Sequence, residues 1–159
     1  MATLPHEMLA TAELLAKAGA PLGSAGLRRS VSTAYYALFS RLAALCARQV
    51  ARSARASESF KSVYRSLDHG HALRVLDGHA EFGARLGDSF KRLQEARHWA
   101  DYRSDPHPAF SKAADSIAFT QTEALEFVAL ARDSIGFIDA LAPDAKQRLA
   151  VLLVARSRR

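Results

Sequence analysis

RRSVSTAYYALF, residues 28–39, is the stretch that decides the fold. Arg28, Ser32, Tyr35, Tyr36 and Phe39 recur at offsets of four, three, one and three, so they share one helical face. The face carries a cation, a hydroxyl and two phenols beside its rings, more polar chemistry than core packing calls for. Outward from it, one long helix is expected from about Ala25 to Arg52, with Val31, Ala34, Leu38, Leu42, Leu45 and Val50 as its inner stripe.

A second stretch, LQEARHWADY (Leu93–Tyr102), reads as helix in the same way. Arg97 and Asp101 are i,i+4, His98 and Tyr102 are i,i+4, and His98 and Asp101 are i,i+3, spacings at which side chains meet. A bland reading makes this a helix end with an Arg97–Asp101 ion pair and with Trp99 and Ala100 facing the core. The functional reading has Arg97 bind a phosphate, His98 move a proton and Asp101 orient one of them, because imidazole titrates near neutral pH. Arg28 and Arg29 sit in a first turn, where the helix dipole disfavours cations. They therefore point to a partner or to a facing carboxylate, Asp101 being a candidate.

The remaining segments also favour helix. Ala, Leu and Arg abound, with five prolines and eight glycines in 159 residues. Pro5 suits a first turn, Leu4, Met8, Ala12 and Leu15 form a narrow stripe, and Gly19, Pro21 and Gly23 end that helix. Residues 53–59 read as a connector, Phe60 to Leu67 as a short helix, and the glycine-punctuated 68–88 as loop and short turns. Asp88 or Ser89 is expected to cap a helix through Tyr102, broken by Pro106 and Pro108. Ser111 is expected to cap the next, with Ile117, Thr120, Ala124, Phe127, Leu130, Ala131, Ile135, Ile138 and Leu141 on or near its buried side. Pro143 ends it, and Asp144 caps a last helix running into the basic tail 156–159. No segment alternates over strand length. The expected fold is all-α: a single-domain up-and-down helical bundle of four to five main helices.

Composition sets the functional classes. Apolar residues make up 49% and charged residues 24%, the balance of an ordinary globular chain. Lys and Arg number 22 against 16 Asp and Glu, a net charge of +6, which makes a polyanion partner worth testing. Arg41, Arg48, Arg52 and Arg55, joined by Lys61, Arg65 and the tail arginines, would form a basic stripe for RNA phosphates, or simply a solvated face. The single cysteine, Cys46, lies in an apolar run and is expected to pack as a small hydrophobe. His69 and His71 lie two apart with no third ligand at a recognisable spacing, so neither metal nor cofactor is expected. No apolar run reaches membrane-spanning length and the N-terminus lacks a secretion signal, so a cytoplasmic protein is expected. Tyr35, Tyr36, Phe39, Phe119, Phe127 and Phe137 exceed the need of a thin core, and the surplus predicts a homodimer interface.

RRSVSTAYYALF, VYRSLDHGHA (Val63–Ala72) and LQEARHWADY followed by RSDP together resemble the HEPN family, in particular a small prokaryotic branch with an RHxADY motif. The resemblance spans roughly residues 8–140 and includes helix order and spacing. It implies a HEPN-like bundle that pairs into a two-fold dimer. Many members are metal-independent endoribonucleases whose signature is an Arg, four to six residues, then a His, the two copies facing each other across the dimer cleft. Arg92, five residues, then His98 meets that spacing, although Leu93 stands where a polar residue is usual; Arg103 to His107 has only three intervening residues. The implied catalytic set is His98, Arg97, Arg92 and Asp101, with Tyr102, Arg28, Arg29, Tyr35, Tyr36 and Arg103 in binding. The implied role is a ribonuclease toxin or phage-defence effector. The alternative is a non-catalytic dimer that binds RNA, a nucleotide or a nucleotidyltransferase antitoxin partner.

Overall fold

A computed structural model describes residues 3–52, 57–103 and 119–155. Helix α1 is Leu4–Ala18, α2 Gly23–Ala51, α3 Glu58–Ser66, α4 His69–Leu76, α5 Asp88–Tyr102, α6 Gln121–Ala140 and α7 Pro143–Val154. A 3-10 turn (Ala20–Leu22) joins α1 to α2 and a π turn (Gly83–Gly87) leads into α5. The fold is all-α, with five long helices and the short α3 and α4 among the described residues.

The long helix α2 runs through the middle and packs against α1, α3, α5, α6 and α7. That explains why its burial is not confined to a stripe. Ser30, Val31, Ala34, Tyr35, Ala37, Leu38, Leu42, Leu45 and Cys46 are all buried, as on a helix covered from several sides. Val50, in the last turn, departs from the expected stripe and is exposed. Burial pushes the Cys46 thiol up to about 12, so it packs as a neutral group, as its apolar run indicates.

Register differs in α1. Its buried positions are Pro5, Leu9, Ala12 and Ala16, so the inward face is rotated from the expected Leu4–Met8–Ala12–Leu15 stripe, and Leu4 is exposed. Small residues allow this: Ala12 and Ala16 are fully buried where α1 packs on α2, and the Ser30 hydroxyl donates to Ala12 O at 2.7 Å.

Three helix starts also differ from expectation. Helix α5 continues directly from the π turn, so neither Asp88 nor Ser89 caps it; the Ser89 hydroxyl donates instead to Arg85 O at 2.9 Å. Helix α6 begins at Gln121. Thr120 caps it in a capping box, receiving Glu123 N at 3.1 Å while Glu123 Oε2 accepts Thr120 N at 2.8 Å. The expected cap Ser111, with Ile117, Pro106, Pro108 and His107, lies outside the described residues. Pro143 opens α7 rather than merely ending α6, and Asp144 makes an i,i+4 bond with Arg148 rather than a cap.

The aromatic residues are absorbed within the chain. Tyr35, Phe119 and Phe127 are buried, and Tyr36, Phe39 and Phe137 pack against the core. They supply no surplus exposed area, so that argument for a homodimer falls.

Candidate functional site

Helices α2 and α5 lie side by side and bring the two motif stretches together. Arg97 sits between them. Its guanidinium lies 5.3, 5.5 and 5.7 Å from the ring centres of Tyr35, Tyr36 and Tyr102. Such contacts each contribute about 0.5–2 kcal/mol, more as the cation loses water, and the Arg97 side chain keeps 13% of its exposure. Asp101 Oδ2 stands 4.0 Å from Arg97 Nε and accepts a hydrogen bond from the Ser32 hydroxyl at 3.1 Å. The i,i+4 pair anticipated from spacing is therefore present but long, and its carboxylate is also tied to α2.

Arg28 is not a partner of Asp101. Its Nη1 donates to Trp99 O and Ala100 O, each at 3.1 Å, and to Arg103 O. These are carbonyls at the end of α5, where a cation meets the negative end of the dipole. The side chain that looks misplaced at the start of α2 is thus the cap of α5. Arg29 is exposed.

Behind Arg97 lies a histidine not anticipated in the site. His69, at the start of α4, stacks on Phe39 with ring centres 3.8 Å apart and shares a 2.5 Å hydrogen bond with the Tyr35 hydroxyl. Burial, helped by the Arg97 charge, holds its imidazole below the usual histidine range against the opposing pull of Asp68. Burial also raises the Tyr35 phenol well above its ordinary range. A local signal for this placement exists: Asp68 Oδ1 accepts His71 N at 2.7 Å, so DHGH reads as an N-cap opening a helix rather than a loop.

His98 stands on the other side of α5, exposed, with the Tyr102 ring 5.3 Å away. Arg92 is also exposed, but six residues along a helix is about 120° off His98's direction, so the two do not share a face. Arg103 lies over the Trp99 ring at 5.1 Å. Beside His98, a groove of about 290 Å³ is lined by Leu73, Lys91, Gln94, Arg97, His98 and Trp99 among others. In the wall of this groove Arg97 Nε and Gln94 Oε1 are buried with no hydrogen-bond partner.

The basic stripe does not survive intact. Arg41 turns inward and pairs with Asp139, its Nη2 2.6 Å and its Nε 2.7 Å from Oδ1. Arg55 and the tail arginines lie outside the described residues. Among the described residues, no cluster of three His, Cys, Asp or Glu side chains converges, and no helix is long and apolar enough to cross a membrane. The chain matches no protein-family model, no curated protein and no solved structure.

Proposed function

We propose that this protein is a HEPN-like module, acting as a cytoplasmic homodimer, that binds RNA or a nucleotide through the groove beside α5 without cleaving it. The observation that carries the reading is the Arg97 side chain in the wall of that groove, its Nε without a hydrogen bond, with Lys91 and His98 lining it. A phosphate in the groove would meet the positive charges of Arg97 and Lys91, and charge-assisted hydrogen bonds of that kind are stronger than neutral ones. Binding rather than turnover follows from the neighbours. Arg97 is held among three rings, and Asp101 takes the Ser32 hydroxyl. Neither orients His98 and Arg92 points elsewhere; among the described residues no ion pair or hydrogen bond fixes the imidazole, Glu95 lining the same groove without bonding it.

The test pairs fluorescence anisotropy of a labelled single-stranded RNA, at about 50 mM salt and above, with gel analysis of the same RNA in EDTA. Binding should weaken with salt and with Lys91→Glu, and the RNA should stay intact. Cleavage in EDTA that disappears in His98→Ala would overturn this reading in favour of a metal-independent endoribonuclease toxin or defence effector. Absence of binding at low salt rejects both. Light scattering on the same sample should give twice the 17.3 kDa chain mass. Affinity capture of a nucleotidyltransferase would extend the reading to an antitoxin partner.

A further inference from the structure

A second cavity, with no lining residue on α5, opens where the start of α1, the middle of α2, α3 and the end of α6 meet. Its volume is about 390 Å³, within the span of about 300–1,000 Å³ usual for small-ligand sites. Leu4 and Pro5 come from α1 and Ala44 from α2. Phe60 and Tyr64, one turn apart on α3, bring two near-parallel rings, inclined by 20° with centres 6.3 Å apart. Leu4 is 56% exposed, so part of this apolar wall faces solvent.

The ionic groups of the lining are engaged within the protein. Arg41, with 9% of its surface exposed, is fixed against Asp139 Oδ1. The other oxygen of Asp139 faces His6 Nε2 at 3.6 Å, while His6 Nδ1 lies 2.7 Å from Thr3 Oγ1. Arg48 lines the cavity as well and has a partner of its own. The surface left to recognise a ligand is therefore the apolar one. An ionised group placed against it would lose water and find the opposite charges already taken, a cost that a neutral molecule does not meet.

We propose that this cavity binds a neutral, flat aromatic molecule of about two rings. Its rings would lie against Phe60 and Tyr64, and its edges against Leu4, Pro5 and Ala44. Contacts between aromatic rings add to the gain from burying apolar area, which favours a planar aromatic body over an aliphatic chain. A cavity of this size encloses a small molecule, whereas a protein partner needs a broader surface.

The probe is N-phenyl-1-naphthylamine, a neutral dye that brightens in apolar surroundings. It is titrated by fluorescence beside 1-anilinonaphthalene-8-sulfonate, the same body carrying a sulfonate. One saturable site per chain is expected for the neutral dye, with the sulfonate bound at least about tenfold more weakly. Ala44→Phe, which places a ring in the cavity, should abolish binding. Tyr64→Ala, which removes half of the aromatic wall, should weaken it about tenfold. Val151→Asp, on α7 and away from the cavity, should leave it unchanged. Circular dichroism confirms that each variant is folded; should Ala44→Phe fail to fold, the half-buried Tyr64→Ala decides. No saturable binding, retention with a folded Ala44→Phe, an unchanged affinity in Tyr64→Ala, or loss with Val151→Asp overturns the site. A sulfonate bound as tightly as the neutral dye overturns the neutral ligand.

Discussion

Arg97 is the residue on which two roles meet, since it holds α5 to the tyrosines of α2 and lines the groove. A lysine keeps the charge but not the planar group that lies over rings. Arg97→Lys should therefore cost about 1–2 kcal/mol in urea unfolding, whereas His98→Ala, on the exposed side, should stay within about 0.5 kcal/mol. Equal losses would show that the ring contacts do not hold the helices together. His69 adds a pH dependence. Its folded affinity for protons lies below that of the free side chain, so the unfolded chain binds more protons beneath pH 6.5. The stability contributed by neutral His69 is fully present above pH 6.5 and drains away as pH falls through its lowered value. Between about pH 7.5 and about pH 5, the urea midpoint of the wild type should drop further than that of His69→Gln, which cannot ionise. Parallel declines would remove His69 from the account.

Element boundaries turn on close approaches that local pattern does not reveal. Gly87 ends the π turn with ordinary backbone angles, so no special conformation requires glycine there. Space does: a Cβ would stand 2.5 Å from Leu76 O and 3.0 Å from Leu76 C, both backbone atoms at the end of α4. Gly87→Ala must push α5 away from α4, and thermal unfolding should register a loss of about 1–3 kcal/mol. An unchanged midpoint would mean that the junction yields freely. Gly19, by contrast, is needed for its φ of +55° where α1 stops, and Gln121 from α6 donates to the Ala16 and Lys17 carbonyls beside it. The glycines that punctuate the sequence are thus legible as breaks, but not as the two different constraints they meet.

Across the whole molecule, helix content was readable because Ala, Leu and Arg prevail and no alternation occurs, and the extent of α2 came within two residues of expectation at each end. The shared face of Ser32, Tyr35 and Tyr36 was legible too, since helical spacing places it. Its partner was legible only in part. Arg97 and Asp101 were visible by spacing, but the role of Arg28 as the cap of a helix some 70 residues away was not, because a cap made by a distant side chain leaves no local trace. The Asp68 cap marks the helix that carries His69, but the contact of His69 with Tyr35 leaves no local trace, and Arg41 was placed on a solvated face because its Asp139 partner is remote in sequence.

The position of α2 at the centre has a consequence for how the chain is made. It is synthesised ahead of the helices that cover much of it: α2 ends at Ala51, whereas α5, α6 and α7 end as late as Val154. At a ribosomal rate of about 5–20 residues per second, its apolar sides wait roughly 5–20 s for their last cover. The α1–α2 hairpin can form at once, and α3 soon after it, through short-range contacts. The nascent chain is thus most exposed to aggregation in the interval between that hairpin and the arrival of α7, the period in which a chaperone would find it.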